Sequence, residues 1–82
     1  MPEAQVNLGV MYYKGEGVAQ DKQNAFKWFK KAAEQDNPGG QYNLALMLYK
    51  GDGVPRDIEA AKEWFQKAAD NGTDEARKYL SE

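Results

Sequence analysis

The sequence predicts an all-α protein in which pairs of helices stack into a solenoid. When the 82-residue chain is shifted by 36 positions, residues 1–36 and 37–72 share 17 identical positions, so the chain contains an internal duplication. Within each copy, apolar residues recur at helical spacing in two stretches that glycines separate. One helix pair cannot bury its own apolar stripe, so the pairs are expected to stack on one another.

The first helix of each copy is predicted from an apolar stripe with i, i+4, i+7 spacing. It ends at Gly15 and again at Gly51, because glycine readily adopts the left-handed conformation that closes a helix. In the second copy, Asn37 and Pro38 suit the N-cap and the first helical position. The predicted spans are about 3–14 and 38–50. The stripes are Ala4, Leu8, Met11 and Tyr12 in the first copy and Leu44, Met47 and Leu48 in the second.

The second helix of each copy carries an alanine-rich stripe that includes a Trp-Phe pair. Asp21 and Asp57 precede these stripes as N-caps, which predicts helices over about 21–35 and 57–71. The alanines allow helices to approach closely, and the Trp-Phe pairs are expected to fill the core between neighbouring helix pairs. The stripes are Ala25, Trp28, Phe29, Ala32 and Ala33, and then Ala61, Trp64, Phe65, Ala68 and Ala69.

The last residues begin a third copy. Thr73 is predicted to cap a fifth helix over about 74–81. Between the two full copies, Gly39 and Gly40 disfavour a helix start, so this joint is expected to be flexible. We therefore predict one domain over residues 1–82, divided into repeat 1 (1–36), repeat 2 (37–72) and a partial third repeat or capping helix (73–82).

Composition argues against several classes of function. Eleven basic and 13 acidic residues give a net charge of −2, which offers no general attraction to nucleic acid or to anionic lipid. The chain has no cysteine and no histidine, so thiolate chemistry, the usual zinc ligands and a histidine base are all missing. No segment is apolar enough to span a membrane, and the N-terminus lacks the features of a signal peptide. The prediction is a soluble protein of unassigned compartment, with no enzymatic activity, cofactor, metal, nucleic-acid partner or membrane partner.

Motifs that suggest catalysis or nucleic-acid binding have simpler structural interpretations. The Gly-x-Gly motif of each copy follows a helix, whereas a phosphate-binding loop follows a strand, so the motif is interpreted as a turn. Asp52 and Asp57 are possible paired carboxylates, but exposure in a turn explains the first and capping explains the second. The lysines of the first copy's second helix are interpreted as a solvated outer face rather than an RNA-binding patch. They are Lys27, Lys30 and Lys31.

The repeated pattern resembles a known family. Residues 8–33 read Leu-Gly-x-Met-Tyr-Tyr-x-Gly-x-Gly-Val-x-x-Asp-x-x-x-Ala-x-x-Trp-Phe-x-Lys-Ala-Ala, and most of this pattern recurs in the second copy. It closely resembles the Sel-one-like repeat (SLR), a relative of the tetratricopeptide repeat (TPR), over essentially the whole chain. The resemblance implies a right-handed α-solenoid whose concave face is lined mainly by the first helix of each repeat. It also implies a role as an adaptor or scaffold that holds other proteins.

A second stripe on the first helices is the candidate binding surface. The TPR-like arrangement implies that this stripe faces the concave side. An apolar floor with tyrosines and a basic rim suits an extended peptide or a partner helix that carries an acidic residue or a C-terminal carboxylate. The sequence leaves open the alternative that these side chains pack between adjacent repeats. The floor comprises Val6, Val10, Tyr13, Tyr42, Leu46 and Tyr49, and the rim comprises Lys14, Lys50 and Lys78.

Asn7 and Asn43 recur at the repeat period beside this stripe. Solenoid relatives use such asparagines to hold a partner's backbone, so the resemblance implies that role here. A hydrogen bond between neighbouring helices explains the recurrence equally well.

The function predicted is therefore a non-enzymatic protein–protein interaction module that binds a protein or peptide ligand on its concave face. The alternative is a structural repeat unit, or a designed or excised fragment, that mainly self-associates. The first helix begins at a repeat boundary without a preceding cap, so it is expected to expose an apolar flank. That flank would favour a homo-oligomer formed through exposed repeat ends.

Overall fold

The computed structural model describes residues 1–81, and this part of the chain contains helices and turns but no strand. Two antiparallel helix pairs form the body: α1 (Pro2–Lys14) with α2 (Lys22–Glu34), and α3 (Pro38–Lys50) with α4 (Ile58–Asp70). A 3₁₀ turn (Asp74–Ala76) then leads into the short helix α5 (Arg77–Leu80). Each helix packs mainly on its neighbours in the chain, as a solenoid requires. The all-α solenoid prediction is confirmed.

Local sequence signals set the ends of the four long helices. Asp21, Asn37 and Asp57 each accept a hydrogen bond from the backbone N–H three residues later, at 3.1, 2.9 and 3.1 Å. Gly15 and Gly51 close α1 and α3 in the left-handed conformation, with φ of 75° and 66°. Because these signals are local, all four helices lie within one residue of their predicted bounds.

The C-terminal segment differs from its prediction. Thr73 makes no side-chain capping hydrogen bond, and its carbonyl instead accepts from the Ala76 N–H at 3.2 Å. That i→i+3 bond produces a 3₁₀ turn, where a continuous α-helix over 74–81 was predicted. The expected Thr73 cap is therefore wrong. Ala76 is nevertheless fully buried in a cluster with residues of α3 and α4.

Two apolar clusters form the core, one around Phe29 and one around Phe65. Both tryptophans were predicted to be core residues and both are half-buried, but the prediction is wrong only for Trp28. Trp64 packs against both clusters, whereas Trp28 belongs to neither of them. Each indole offers an open face to a lysine, with the Lys31 ammonium 4.8 Å from the Trp28 ring and the Lys67 ammonium 4.6 Å from the Trp64 ring.

The joint between the two helix pairs is closely packed, contrary to the flexible joint expected from its glycines. Gly40 is buried, and a Cβ at this position would lie 2.7 Å from the Ala32 Cβ and 2.8 Å from the Ala33 nitrogen. The glycine therefore lets α3 approach α2. Next to it, the buried Gln41 side chain donates to the Ala33 carbonyl at 3.3 Å and accepts from Asn71 at 3.0 Å.

Candidate functional site

A groove between α1 and α3 brings six of the predicted site residues together. We call it the α1–α3 groove, and its volume is about 190 Å³. Its floor is largely apolar, and charged groups stand at its edge. The predicted residues in its lining are Val10, Tyr13, Lys14, Asn43, Leu46 and Lys50, and the remaining lining residues are Phe29, Met47 and Asp52.

Helix geometry accounts for this arrangement. Val10, Tyr13 and Lys14 stand at i, i+3 and i+4, so they share one face of α1. Asn43, Leu46 and Met47 share one face of α3 at the same spacing, and Lys50 follows them at i+7. The Phe29 ring closes the bottom of the groove because Gly9 lets the ring approach α1, where a Cβ would lie 2.6 Å from the ring.

A hydrogen-bonded charge network closes one end of the groove. The Tyr13 hydroxyl donates to Asp52 Oδ2, and Lys22 Nζ donates to Asp52 Oδ1 at 2.6 Å. The Lys22 ammonium also lies 5.3 Å from the centroid of the Tyr13 ring. These three residues come from α1, the start of α2 and the α3–α4 loop. The network therefore ties the first helix pair to the second.

The same network shifts the proton affinities of its members. The hydrogen bond from Lys22, followed by that from Tyr13, holds the pKa of Asp52 below its ordinary value. The bond to Asp52 raises the pKa of Tyr13 and that of Lys22. At neutral pH Asp52 is therefore an anion whose charge Lys22 balances. The exposed ammonium groups of Lys14 and Lys50 then give the rim of the groove its positive charge.

Tyr42 and Tyr49 lie in an aromatic cluster of the second repeat and not in the groove. Their rings meet Phe65 edge-on, with centroids 5.9 and 6.1 Å apart. They meet Tyr79 of α5 in the same manner, at 6.4 and 5.1 Å. Burial raises the pKa of Tyr42 above its ordinary value. These contacts are those of the packing alternative that the sequence left open.

Three further predicted residues also lie outside the lining of the groove. Val6 is half-buried against the Phe29 cluster. Asn7 is exposed on α1. Lys78 is exposed, and its ammonium lies 5.2 Å from the Tyr79 ring centroid.

Sequence reasoning missed three residues of the groove. Phe29 and Met47 are core residues as predicted, each 3% exposed, yet their edges form part of the floor. Asp52 was interpreted as an exposed turn residue, which is wrong, because its side chain is only 22% exposed and is bound by Lys22. The repeat pattern does not predict the Lys22–Asp52 pair, because the second repeat has Ile58 at the position of Lys22.

The groove offers apolar surface, one amide and ammonium groups, which are means of binding. Within residues 1–81, no three histidine, cysteine, aspartate or glutamate side chains are grouped to hold a metal ion. The helices of this part of the chain also lack the length and apolarity needed to cross a bilayer.

Comparison with known proteins places the chain among repeat proteins. The family model described as the Sel1 repeat matches residues 2–37 and again residues 38–73. A curated relative, a putative sel1-like repeat-containing protein of Acanthamoeba polyphaga mimivirus, is 49% identical over 37 residues. That match covers 45% of this chain and only 6% of the viral protein.

Solved structures of similar repeat proteins superpose on nearly the whole chain. A Sel1 repeat protein from Oxalobacter formigenes superposes with a TM-score of 0.94 at 43% identity, covering 99% of this chain and 61% of that one. A protective antigen of uropathogenic Escherichia coli with an SLR fold superposes with a TM-score of 0.90 at 47% identity, and the match covers 93% of this chain and 16% of the antigen. Cysteine rich protein B of Helicobacter pylori superposes with a TM-score of 0.92 at 28% identity, and the match covers 96% of this chain and 59% of that protein. The chain thus spans less than two thirds of each of these relatives.

Proposed function

Because the chain belongs to the Sel1 repeat family, whose members are in general protein-interaction modules, we propose that it binds an acidic peptide segment of another protein in the α1–α3 groove. The segment lies across the apolar floor and places a carboxylate near Lys14 and Lys50. In this role the chain acts as an adaptor without catalytic activity.

The observation that carries the proposal is the convergence of six predicted residues, from two helices, on one largely apolar groove. Peptide sites of this kind combine apolar anchoring surface with a few polar groups that orient the ligand. In the α1–α3 groove, Val10 and Leu46 supply the apolar surface. The Asn43 side chain supplies an amide that can both donate and accept a hydrogen bond.

Charge supports an acidic partner. The carboxylate of Asp52 is engaged mainly by Lys22 and Tyr13 and interacts with Lys50 as well, so the three lysines around the groove leave it a net positive charge. Lys14 and Lys50 stand one on each helix that borders the groove, and both are exposed. Charges placed at the rim of a binding surface mainly set partner selection and the association rate.

A random peptide library displayed on phage tests this proposal when it is selected against the chain at low salt. We expect peptides enriched in aspartate, glutamate or a free C-terminal carboxylate. The double variant Lys14→Glu with Lys50→Glu should weaken their binding about tenfold or more, as measured by calorimetry. Raising the salt concentration should weaken wild-type binding in the same direction.

A matched control changes the same charges elsewhere. Lys27→Glu with Lys30→Glu alters two exposed lysines of α2 outside the groove, and binding should change less than about twofold. Light scattering on each variant ensures that self-association does not account for a difference. The proposal fails if no peptide is enriched, or if the two double variants weaken binding equally.

A further inference from the structure

The ring of Tyr79 in α5 packs on the second repeat at the position that corresponds to the α1–α3 groove one repeat earlier. In the 36-residue register, Phe65 corresponds to Phe29 and Tyr79 corresponds to Asn43. The Tyr79 ring stacks on Phe65, with centroids 4.4 Å apart and planes 4° apart. Next to Phe29 the corresponding ring is missing because Asn43 is small, and the groove occupies that space.

Another lining position of the groove is also smaller than its counterpart, since Val10 corresponds to Leu46. The groove has a volume of about 190 Å³, whereas Tyr79 packs against Phe65 at the corresponding place. An apolar cavity of about 150 Å³ is known to accept a benzene ring. The groove is therefore large enough for one aromatic side chain.

We infer that the α1–α3 groove takes an aromatic side chain of the bound peptide, which lies against Phe29 at the place that Tyr79 takes against Phe65. This inference rests on the proposed function, because it names the residue that the acidic segment inserts. The aromatic residue is the anchor, and carboxylates beside it meet the rim lysines. The contact of the Tyr79 ring with Phe65 shows that the equivalent place in this chain accepts an aromatic ring.

The charge network at the end of the groove holds a second contact for this ring. Tyr13 corresponds to Tyr49, whose ring meets Tyr79 edge-on at a centroid distance of 5.1 Å. Asp52 fixes the Tyr13 hydroxyl and is itself held by Lys22. A ring held in place before binding loses less freedom when the ligand arrives, which favours affinity.

The inference is tested directly with p-cresol, the side-chain analogue of tyrosine, added to the isotope-labelled chain and followed by two-dimensional amide NMR. We expect saturable shifts of the Val10, Phe29 and Leu46 amides with a dissociation constant in the millimolar range. 4-Methylcyclohexanol, which has a similar size but no aromatic face, should produce weaker shifts. The Asn43→Tyr variant should lose the p-cresol response, because its own ring occupies the groove as Tyr79 does in the second repeat.

The Asn7→Tyr variant is the matched control, since Asn7 is the equivalent residue of α1 and is exposed. It should keep the full p-cresol response. Thermal unfolding of Asn43→Tyr checks the fold, and a melting temperature at or above that of the wild type is expected from a filled groove. If wild-type p-cresol shifts are absent, or if they persist unchanged in Asn43→Tyr, the inference is overturned.

Peptides separate the failure of this inference from the failure of the proposed function. Acidic peptides that bind Asn43→Tyr as tightly as the wild type, and that tolerate alanine at every aromatic position, would leave the proposed function intact and overturn the aromatic anchor. A saturable p-cresol response at Phe29 without any peptide enrichment would support the aromatic pocket and overturn the acidic-peptide proposal.

Discussion

The junction between α2 and α3 and the junction between α4 and α5 carry equivalent residues but differ in regularity. At the first junction Asn37 caps the new helix through the Gly40 N–H at 2.9 Å, and α3 is α-helical from Pro38 onward. At the second junction Thr73 makes no such bond, and the chain passes through a 3₁₀ turn before α5. Gly40 and its counterpart Ala76 are both buried. Burial alone therefore does not decide how a helix starts here, whereas the cap does.

The junctions also differ in the residue that reverses the chain. Gly72 turns the second junction with φ of 103°, which costs glycine little. Asp36 turns the first junction with φ of 66°, a conformation that disfavours side chains. Its carboxylate accepts hydrogen bonds from Gln41 and Asn71, each at 3.3 Å, and these bonds offset the strain. At the first junction, hydrogen bonds to Asp36 hold the turn. At the second junction, Gly72 adopts the turn without such bonds, because glycine tolerates a positive φ.

Exchanging the buried small residues gives the largest expected effect. Gly40→Ala brings a methyl group within 2.8 Å of the Ala33 nitrogen, which cannot rotate away. Overpacking should outweigh the gain in helix propensity and lower the free energy of unfolding by roughly 1–2 kcal/mol net. Urea denaturation measures this change. The reverse exchange, Ala76→Gly, should cost about 1 kcal/mol through lost propensity and a lost buried methyl. A Gly40→Ala protein as stable as the wild type would show that α2 and α3 do not approach this closely.

Removing the cap residues separates the two junctions next. Asn37→Ala should lower the free energy of unfolding by about 1 kcal/mol, because the Gly40 N–H loses its acceptor. For a chain of this size, that is a fall of about 4–8 °C in melting temperature. Thr73→Ala should change the melting temperature by less than half as much, since Thr73 makes no side-chain cap bond. Equal losses in the two variants would contradict the difference between the junctions.

The smallest expected effect concerns the ion pair that ties the α3–α4 loop to the start of α2. Asp52→Asn should lower stability at neutral pH by about 0.5–1 kcal/mol, because Lys22 and Tyr13 lose an anionic partner. The pKa of Asp52 is depressed in the folded chain, so its contribution is complete above its ordinary value near 3.8 and disappears as the pH falls through the folded value. The stability difference between variant and wild type should therefore shrink in acid.

Glu16→Gln is the control for the ion pair. Glu16 occupies the equivalent position of the first repeat and is exposed. Its stability difference from the wild type should be near zero at neutral pH and should not follow the acid dependence of Asp52→Asn. Chemical denaturation at a series of pH values compares the two variants, and parallel curves would refute a special role for Asp52.

The sequence predicted the helices well because their signals are local. Apolar spacing, together with an aspartate or asparagine before α2, α3 and α4 and a glycine after α1 and α3, is enough to place four helices within one residue. Of the predicted floor, Val10, Tyr13 and Leu46 line one groove, whereas Val6, Tyr42 and Tyr49 lie outside it. These successes depend on helix geometry, which fixes the side chains that share one face of a helix, and on the 36-residue repeat, which makes the stripes of α1 and α3 equivalent.

The failures concern contacts between different helices and loops, which the spacing within one helix does not reveal. Lys22 and Asp52 are thirty residues apart, and their pairing is a property of how the two helix pairs stack. The half-burial of Trp28 has the same origin, because neighbours rather than spacing decide how much of a ring is covered. Gly40 was interpreted by its propensity alone, and its role became clear only once α2 was seen against it. Tertiary packing overrides local preference at each of these positions.

The direction of the Asp52 bond has a consequence for how such a chain could be lengthened by gene duplication. The aspartate of one repeat reaches back to a lysine at the start of the preceding repeat's second helix. The second repeat has Ile58 at that place. An array grown by copying the second repeat onto itself would set each new aspartate against isoleucine instead of an ammonium. Copying both repeats together would keep the Lys22–Asp52 pair in every copy. This bond therefore favours duplication of two repeats at a time.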